Sequence, residues 1–552
     1  MINVQEHANA PSHLVVIFFS STKLKDNAMP IRMEEDQPQN DRRDDVQPTP
    51  RDNRGGGSNP ILIFLPMLIA NLFKNPKQAI LLILVGLAIW YFLGSGGCSL
   101  GDMGGLTQDP NNPFSMGLDF NQEKYDATKV FEPLASNRSN PIPDRVTLEK
   151  YAPTRLNQGR QGSCVGWASS YGARTILQAR ATGQNPNSLA FSPSYLYNQI
   201  ALSGCQGAYM QDAMEVLRQQ GTLPFNDFSY DESSCSRTPS RTQQQSAANY
   251  RTKGYNRLTF GGNDYRVDMN GIRQNLAQGA PVVIGMQVGG SFMQAMEGKK
   301  VWIPNSRDYS LMGYSGHAMC VIGYDDNLTP QEGGFQIMNS WGENWGDRGM
   351  AWVRYSDFDR FVKEAYGLYP MGSADQQNAT KLAAKFGLVD NATKRNIAFR
   401  NVGGNLFRTQ RPIKKGDKFK VEVTNSIECY TYIFGEETDG SSYVLFPYTP
   451  KHSPYCGIVG TRLFPKDHSL TADNTGQLDR IAVLVTKQPL DYQRANEAIN
   501  AAQGRNFAEK VNAVLGREAI AGVKFAASST IDFATETDKK SAVAIILEID
   551  KQ

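Results

Sequence analysis

Apolar and polar positions divide the chain into contrasting stretches. Residues 34–59 are rich in Asp, Arg, Gln, Pro and Gly and carry almost no large apolar side chains. Such a stretch buries too little surface to offset the entropy of ordering, so residues 1–60 are expected to form a disordered tail. Residues 61–73 and 79–93 are the most apolar part of the chain, separated by Lys74, Pro76 and Lys77. The second run reaches the roughly 20 residues that cross a bilayer once Gln78 and Gly94–Gly97 are included. The first is too short to span alone, so it is expected to lie in the interface or to extend the span. A transmembrane segment over residues 61–94 is therefore predicted.

Residues 95–140 are rich in Gly, Asn, Asp and Pro and read as a linker. Residues 141–372 turn globular and mixed. Residues 373–404 read as a linker with a helical stretch. Residues 405–552 read as a small β-rich domain, with alternating runs at Phe419–Val423, Tyr430–Phe434, Tyr443–Phe446 and Ile481–Val485. Asn496–Leu515 reads as helix and Val543–Ile549 as an apolar strand.

Composition changes this picture in a few respects. At 552 residues the chain exceeds one hydrophobic core and predicts two or three folded units. A net charge of +3, with no densely basic stretch, argues against a nucleic-acid partner. Seven cysteines without a CxxC pair exclude a disulfide scaffold and argue against structural zinc. Lys74 and Lys77 precede the second apolar run, and no Lys or Arg follows it until Lys124. The positive-inside rule then makes the chain single-pass, with its N-terminus in the cytoplasm and everything after Gly94 outside.

The chemistry lies between residues 157 and 349. Asn157-Gln-Gly-Arg-Gln-Gly-Ser-Cys164 is turn-like, and Trp167, Tyr171, Ile176 and Leu177 then recur at roughly helical spacing. Cys164 is expected at the first turn of a helix, with Ser163 as its cap, where the helix dipole favours a thiolate. Only five histidines exist, and His317 is the only one between residues 14 and 451. An imidazole acting on Cys164 from its own domain is therefore His317.

Three segments together resemble the papain family of cysteine peptidases. They are the Cys164 segment, Ser315-Gly-His317-Ala-Met-Cys-Val-Ile-Gly-Tyr-Asp, and Gly334-Phe-Gln-Ile-Met-Asn339-Ser-Trp341-Gly-Glu-Asn-Trp345-Gly-Asp-Arg-Gly349. The separations, 153 residues from Cys164 to His317 and 22 from His317 to Asn339, suit the family. The resemblance implies an α+β fold: a papain-like two-lobed domain, preceded here by the transmembrane helix and followed by the β-rich domain. It implies endopeptidase activity with Cys164 as nucleophile, His317 as base, Asn339 orienting the imidazole, and Trp341 shielding that bond. Gln158 and the Cys164 N–H would hold the oxyanion. Gly207, Ala208, Tyr209, Met210, Gly285 and Ala318 match substrate-binding positions, and their apolar character implies an apolar residue next to the scissile one. No metal or organic cofactor is implied.

The sequence departs from the family at Gln161, Val165 and Gly316, where a cysteine, an aromatic residue and an acidic or amide residue are usual. The first change leaves Cys205 without its usual partner, and Cys235 is an alternative. Cys429 and Cys456 form a further candidate pair in an oxidising compartment. Expected partners are a peptide or protein substrate, the membrane through residues 61–94, and a protein partner for the C-terminal domain. A silent papain-like binding module and an acyl or peptide transferase are the rival readings. Retention of Gln158, Cys164, His317, Asn339 and Trp341 argues against the first.

Overall fold

The computed structural model describes residues 31–35, 116–135, 142–259, 266–369, 380–466, 468–537 and 541–552. The expected span at residues 61–94 lies outside them. Among the described residues no helix is long and apolar enough to cross a membrane.

The first folded unit packs a helix on a twisted sheet. The helix opens at Cys164–Gly166, continues as a π-helical stretch Trp167–Arg174 and ends as Thr175–Thr182. Every residue from Cys164 to Leu177 is buried, so this helix is covered on all sides rather than being a surface amphipath. Gly183 stops it with a left-handed backbone, φ 71°, a conformation that costs glycine little. Against it lies an eight-stranded sheet. Its central strands, Val282–Val288 and Ser315–Asp325, are almost entirely buried. That is why they read as continuous apolar runs rather than alternating ones.

The C-terminal unit is a sandwich of two sheets, and its alternation is explicit. Ile481, Val483 and Val485 point into the core shared with Phe386, Phe419 and Val421 of the facing sheet. Ala482 and Leu484, on the opposite face of the same strand, meet Ile499, Phe507 and Val511 of the helices Tyr492–Ala501 and Phe507–Leu515. A strand of period two thus serves two layers. The expected single helix over Asn496–Leu515 is two helices with a break after Ala501.

Two expectations are corrected. Lys381–Asp390, placed in a helical linker, is a strand paired with Lys418–Asn425 and Ile531–Glu536. Its Ala and Lys content favours helix, but Leu382, Ala384, Phe386 and Leu388 alternate into the sandwich core and tertiary packing overrides propensity. The end of the 95–140 linker is also folded. Leu118–Asp119 pairs in parallel with Ala208–Tyr209, Gln122–Ala127 is a helix capped by Asn121, and Val130–Phe131 pairs in parallel with His452–Ser453 of the sandwich. Tyr125 and Leu134 are buried. These few apolar side chains, spaced along a polar segment, are enough to seat it.

Near the other end of the described chain, Ile31–Glu35 pairs antiparallel with His468–Ala472 at the edge of a sandwich sheet. Cys205 and Cys235 form a disulfide. Cys429 and Cys456 face each other across antiparallel strands as buried thiols, not as the expected bridge.

Candidate active site

The loop before Cys164 is fixed from several sides. The Gln158 N–H donates to the Ser340 carbonyl at 2.8 Å, and the Gly162 N–H donates to the Cys205 carbonyl at 3.3 Å. A Cβ at Gly162 would lie 2.7 Å from the Gln206 backbone, so the loop requires glycine to pass there. Ser163 does not cap the helix through its side chain. Its hydroxyl lies 2.6 Å from that of Tyr230, whose own O–H donates to the Gln158 carbonyl at 2.7 Å.

The sheet register brings the other groups to the helix start. His317 pairs with Met286, and Ala318 pairs with Gly285. The Ala318 N–H donates to Cys164 Sγ at 3.4 Å, which ties the histidine strand to the thiol. On the other side Met338 pairs with Cys320, so Asn339 leaves the strand close to His317. His317 Nε2 lies 2.7 Å from Asn339 Oδ1. That oxygen also accepts the Ser340 N–H at 2.7 Å, which identifies it as the acceptor. In a neutral ring Nε2 is then the donor and Nδ1 carries the lone pair. Nδ1 is buried and has no hydrogen-bond partner. The Trp341 indole stacks on the imidazole and itself rests on Phe292 and Trp345.

Burial governs the electrostatics. It pushes the Cys164 thiol up to about 12, outweighing the N–H groups of Ala318, Val165 and Gly117 that pull the other way. It pushes the His317 imidazole down to about 4, with the Asn339 bond opposing it. Burial thus works against the thiolate expected from the helix start. A helix dipole contributes about 0.3–1 kcal/mol at a surface, under one pKa unit, whereas full burial shifts a group by several.

Gln158 sits beside the pair but is engaged. Its Nε2 donates to the Gln161 carbonyl at 2.9 Å and its Oε1 accepts the Ser340 hydroxyl at 2.6 Å.

The six residues assigned to substrate binding come together around residues of the chain itself. The Ala208 N–H donates to the Gly117 carbonyl at 2.9 Å. A Cβ at Gly285 would lie 2.5 Å from Leu118 Cδ2, with Met210 Cε 3.7 Å away. A Cβ at Gly207 would lie 3.0 Å from the Gly117 oxygen. Tyr209 lies under the Lys124 ammonium, 4.6 Å from ring centroid to Nζ.

Sequence reasoning missed two features of this pocket. One is Leu118 as its occupant. The other is Glu364, whose Cβ lies 3.4 Å from the Cβ position of Gly285 and which is 3% exposed. Burial pushes its carboxyl up to about 8, Tyr366 opposes this, and the charge of Asp119 adds to it. A lone acidic residue within the apolar strand Val362–Leu368 was the available signal. Among the described residues no cluster of three or more potential metal ligands occurs.

Residues 144–367 match the profile of the papain family cysteine proteases. An uncharacterized peptidase C1-like protein of Acanthamoeba polyphaga mimivirus is 28% identical over 37% of this chain and 65% of its own length. Cathepsin K of Mus musculus is 27% identical over 38% of this chain and 59% of its own length. The chain thus spans under two thirds of either relative. Among solved structures, xylellain, a cysteine protease from Xylella fastidiosa, is 22% identical with a TM-score of 0.38, covering 47% of this chain and 96% of its own. The profile match and these relatives support a papain-family cysteine peptidase domain in residues 144–367.

Proposed function

We propose that this chain is an endopeptidase that cleaves peptide bonds with Cys164, His317 and Asn339. The observation that carries the reading is the buried His317–Asn339 bond, which leaves Nδ1 unpartnered on a ring next in sequence to the residue bonded to Cys164 Sγ. In the reaction, Nδ1 takes the thiol proton as sulfur attacks the carbonyl carbon. The oxyanion that forms is held by the Cys164 N–H and the Gln158 amide, each such donor contributing about 3 kcal/mol at the transition state. The imidazolium then protonates the departing amine, and water hydrolyses the thioester with Nδ1 again as base. An apolar substrate side chain suits the pocket of Met210, Gly285 and Ala318, because Leu118 already fills it.

The test is cleavage of a peptide library by the purified chain, read as new termini by mass spectrometry. Cleavage should vanish in Cys164→Ala. Undiminished cleavage by that variant sinks the reading.

The placement is also a proposal: residues 61–94 anchor the chain, and the peptidase domain faces outward. The lysine asymmetry around residues 79–93 supports it. The pairing of Ile31–Glu35 with the sandwich favours a second arrangement, in which residues 61–93 enter and leave the membrane on one side. A reporter fused after Gly97 that works only outside the cytoplasm distinguishes them. We further propose that the sandwich offers a surface for a protein partner, which crosslinking of the intact chain in membranes would test.

A further inference from the structure

Cys429 and Cys456 take no part in the chemistry at Cys164, and both are buried free thiols in the sandwich. They stand directly opposite one another where Cys429–Glu436 pairs antiparallel with Tyr455–Cys456. Residues opposite in such a pair have Cα atoms about 4.5–5.5 Å apart, inside the range of about 4.4–6.8 Å that a disulfide spans. The sulfurs are close enough that each shifts the titration of the other. A bridge between them therefore needs no movement of the backbone.

A charge lies beside the pair. Arg462 is 3% exposed, and among the described residues its guanidinium donates to neutral acceptors alone. Nε donates to the Glu132 carbonyl at 3.0 Å, Nη1 to Asn425 Oδ1 at 2.6 Å and Nη2 to the Ile458 carbonyl at 2.8 Å. Asn425 Nδ2 in turn donates to the Cys456 carbonyl at 3.0 Å. A buried cation without an anion is unfavourable, and a thiolate beside it offsets that. The neighbouring Cys429 thiol first, and then Arg462 and the Thr431 hydroxyl 3.4 Å away, draw the Cys456 thiol below its ordinary value against burial. Arg462 acts on Tyr369 too, but burial holds that hydroxyl well above its ordinary range, which leaves the sulfurs to balance the charge.

The two cysteines differ in how firmly they are held. The strand of Cys429 is paired along its other edge with Leu478–Thr486, from Tyr430 to Gly435. Tyr455–Cys456 is a strand of two residues, paired among the described residues with Cys429–Tyr430 alone. It runs straight into residues 457–460, which are half-buried or exposed, with Val459 53% exposed. A short strand beside an exposed loop opens at less cost than one paired on both edges. Opening thus bares Cys456 before Cys429.

We propose that Cys429 and Cys456 are a redox-active dithiol, which small-molecule disulfides oxidise reversibly to a cross-strand bridge, with Cys456 as the attacking sulfur. Cys456 Sγ attacks one sulfur of the small disulfide, forming a mixed disulfide and expelling one thiolate. Cys429 then gives up its proton to solvent and attacks Cys456 Sγ, closing the bridge and expelling the second thiolate. Two protein thiols are oxidised and one small disulfide is reduced to two thiols. Closure removes the sulfur charge that balances Arg462, so the reduced form is favoured and the bridge is readily reopened. Cys205–Cys235, already bonded, is the structural disulfide of the chain. The sandwich thereby registers the thiol–disulfide balance around it, whether or not Cys164 cleaves peptides.

The experiment equilibrates the full chain with mixtures of glutathione and glutathione disulfide, traps free thiols with N-ethylmaleimide and reads each cysteine by peptide mapping. As the mixture is made more reducing, the Cys429–Cys456 bridge should open while Cys205–Cys235 stays closed. In Cys429→Ser, glutathione should collect as a mixed disulfide on Cys456. In Cys456→Ser, Cys429 should remain free under the same mixture. Arg462→Gln should slow closure by about threefold or more, because the thiolate lost outweighs the nucleophilicity gained as the thiol becomes more basic. Arg462→Lys keeps the charge and should close faster than Arg462→Gln. Circular dichroism selects the variants that keep their fold. Free thiols at Cys429 and Cys456 in every mixture overturn the site. A bridge that resists reduction as firmly as Cys205–Cys235 overturns its reversibility. Mixed disulfide on Cys429 in preference to Cys456 overturns the order of attack, and equal closure rates in the parent and folded Arg462→Gln overturn the part given to Arg462.

Discussion

The indole of Trp341 lies over the imidazole of His317, with ring centroids 4.4 Å apart and planes 27° from parallel. The indole covers the bond from His317 Nε2 to Asn339 Oδ1, and excluding water strengthens a buried hydrogen bond. Trp341→Ala should let water compete for Nε2 and free the ring to turn. The expected result is a fall in kcat/KM of about tenfold, or about 1.4 kcal/mol at the transition state. The pH profile should shift with it, since the imidazole would no longer be held dry. An unchanged profile would reduce Trp341 to packing.

Cys164→Ala and His317→Ala should each abolish turnover, and the double variant should be no worse than either single one. Groups that act as a unit are not additive. Cys164→Ala removes only sulfur and should leave the thermal midpoint close to that of the parent. Independent, additive losses would mean that the two residues do not share one step.

The candidate site was more legible in the sequence than its surroundings. Cys164, His317 and Asn339 stand in motifs whose order and spacing depend only on residue identity, and the register of three strands brings them together. The cover over them was not legible. Gly117, Leu118 and Tyr125 sit in a Gly-, Asn- and Asp-rich stretch, and their seating depends on partners such as Gly162, Ala208 and Thr259 that are distant in sequence. The same holds for Lys381–Asp390. Its local propensity favours helix, and only the facing sheet makes Leu382, Ala384, Phe386 and Leu388 a buried row. The opposing effect of burial on the thiol was unreadable for a related reason. Burial is a property of the whole fold, whereas a helix start is a local one.

Gln158→Ala should lower kcat by about 10²–10³ with little change in KM, because the oxyanion contact strengthens only as charge develops. Ser340→Ala should cause a smaller loss of the same kind. It removes the hydroxyl that holds Gln158 Oε1 at 2.6 Å and leaves the amide free to turn. A change confined to KM in either variant would place Gln158 against ground-state substrate.

The last prediction concerns Glu364, which lies beside Leu118 in the covered pocket and is 3% exposed. Burial first, and the charge of Asp119 after it, raise its carboxyl from the ordinary 4.5 to about 8, with the neighbouring Tyr366 hydroxyl pulling the other way. A carboxyl whose folded value is raised holds its proton more tightly in the fold than in the open chain. Its contribution to stability is therefore complete below about 4.5 and is lost as pH rises through about 8. The slope from this one group reaches at most about 1.4 kcal/mol per pH unit. His317 acts in the opposite sense at lower pH, since its depressed value of about 4 gives stability that is lost as pH falls from 6.5 through 4. The two windows overlap only between about 4.5 and 6.5, so the range from pH 6.5 to 8 isolates Glu364 from His317. Glu364→Gln keeps the shape of the side chain and removes the titration. Denaturant unfolding across pH 6.5–9 should show the parent losing stability relative to this variant as pH rises. Parallel curves for the two would mean that the pocket admits enough water to keep Glu364 ionised, and the tight seating of Leu118 against it would then be wrong.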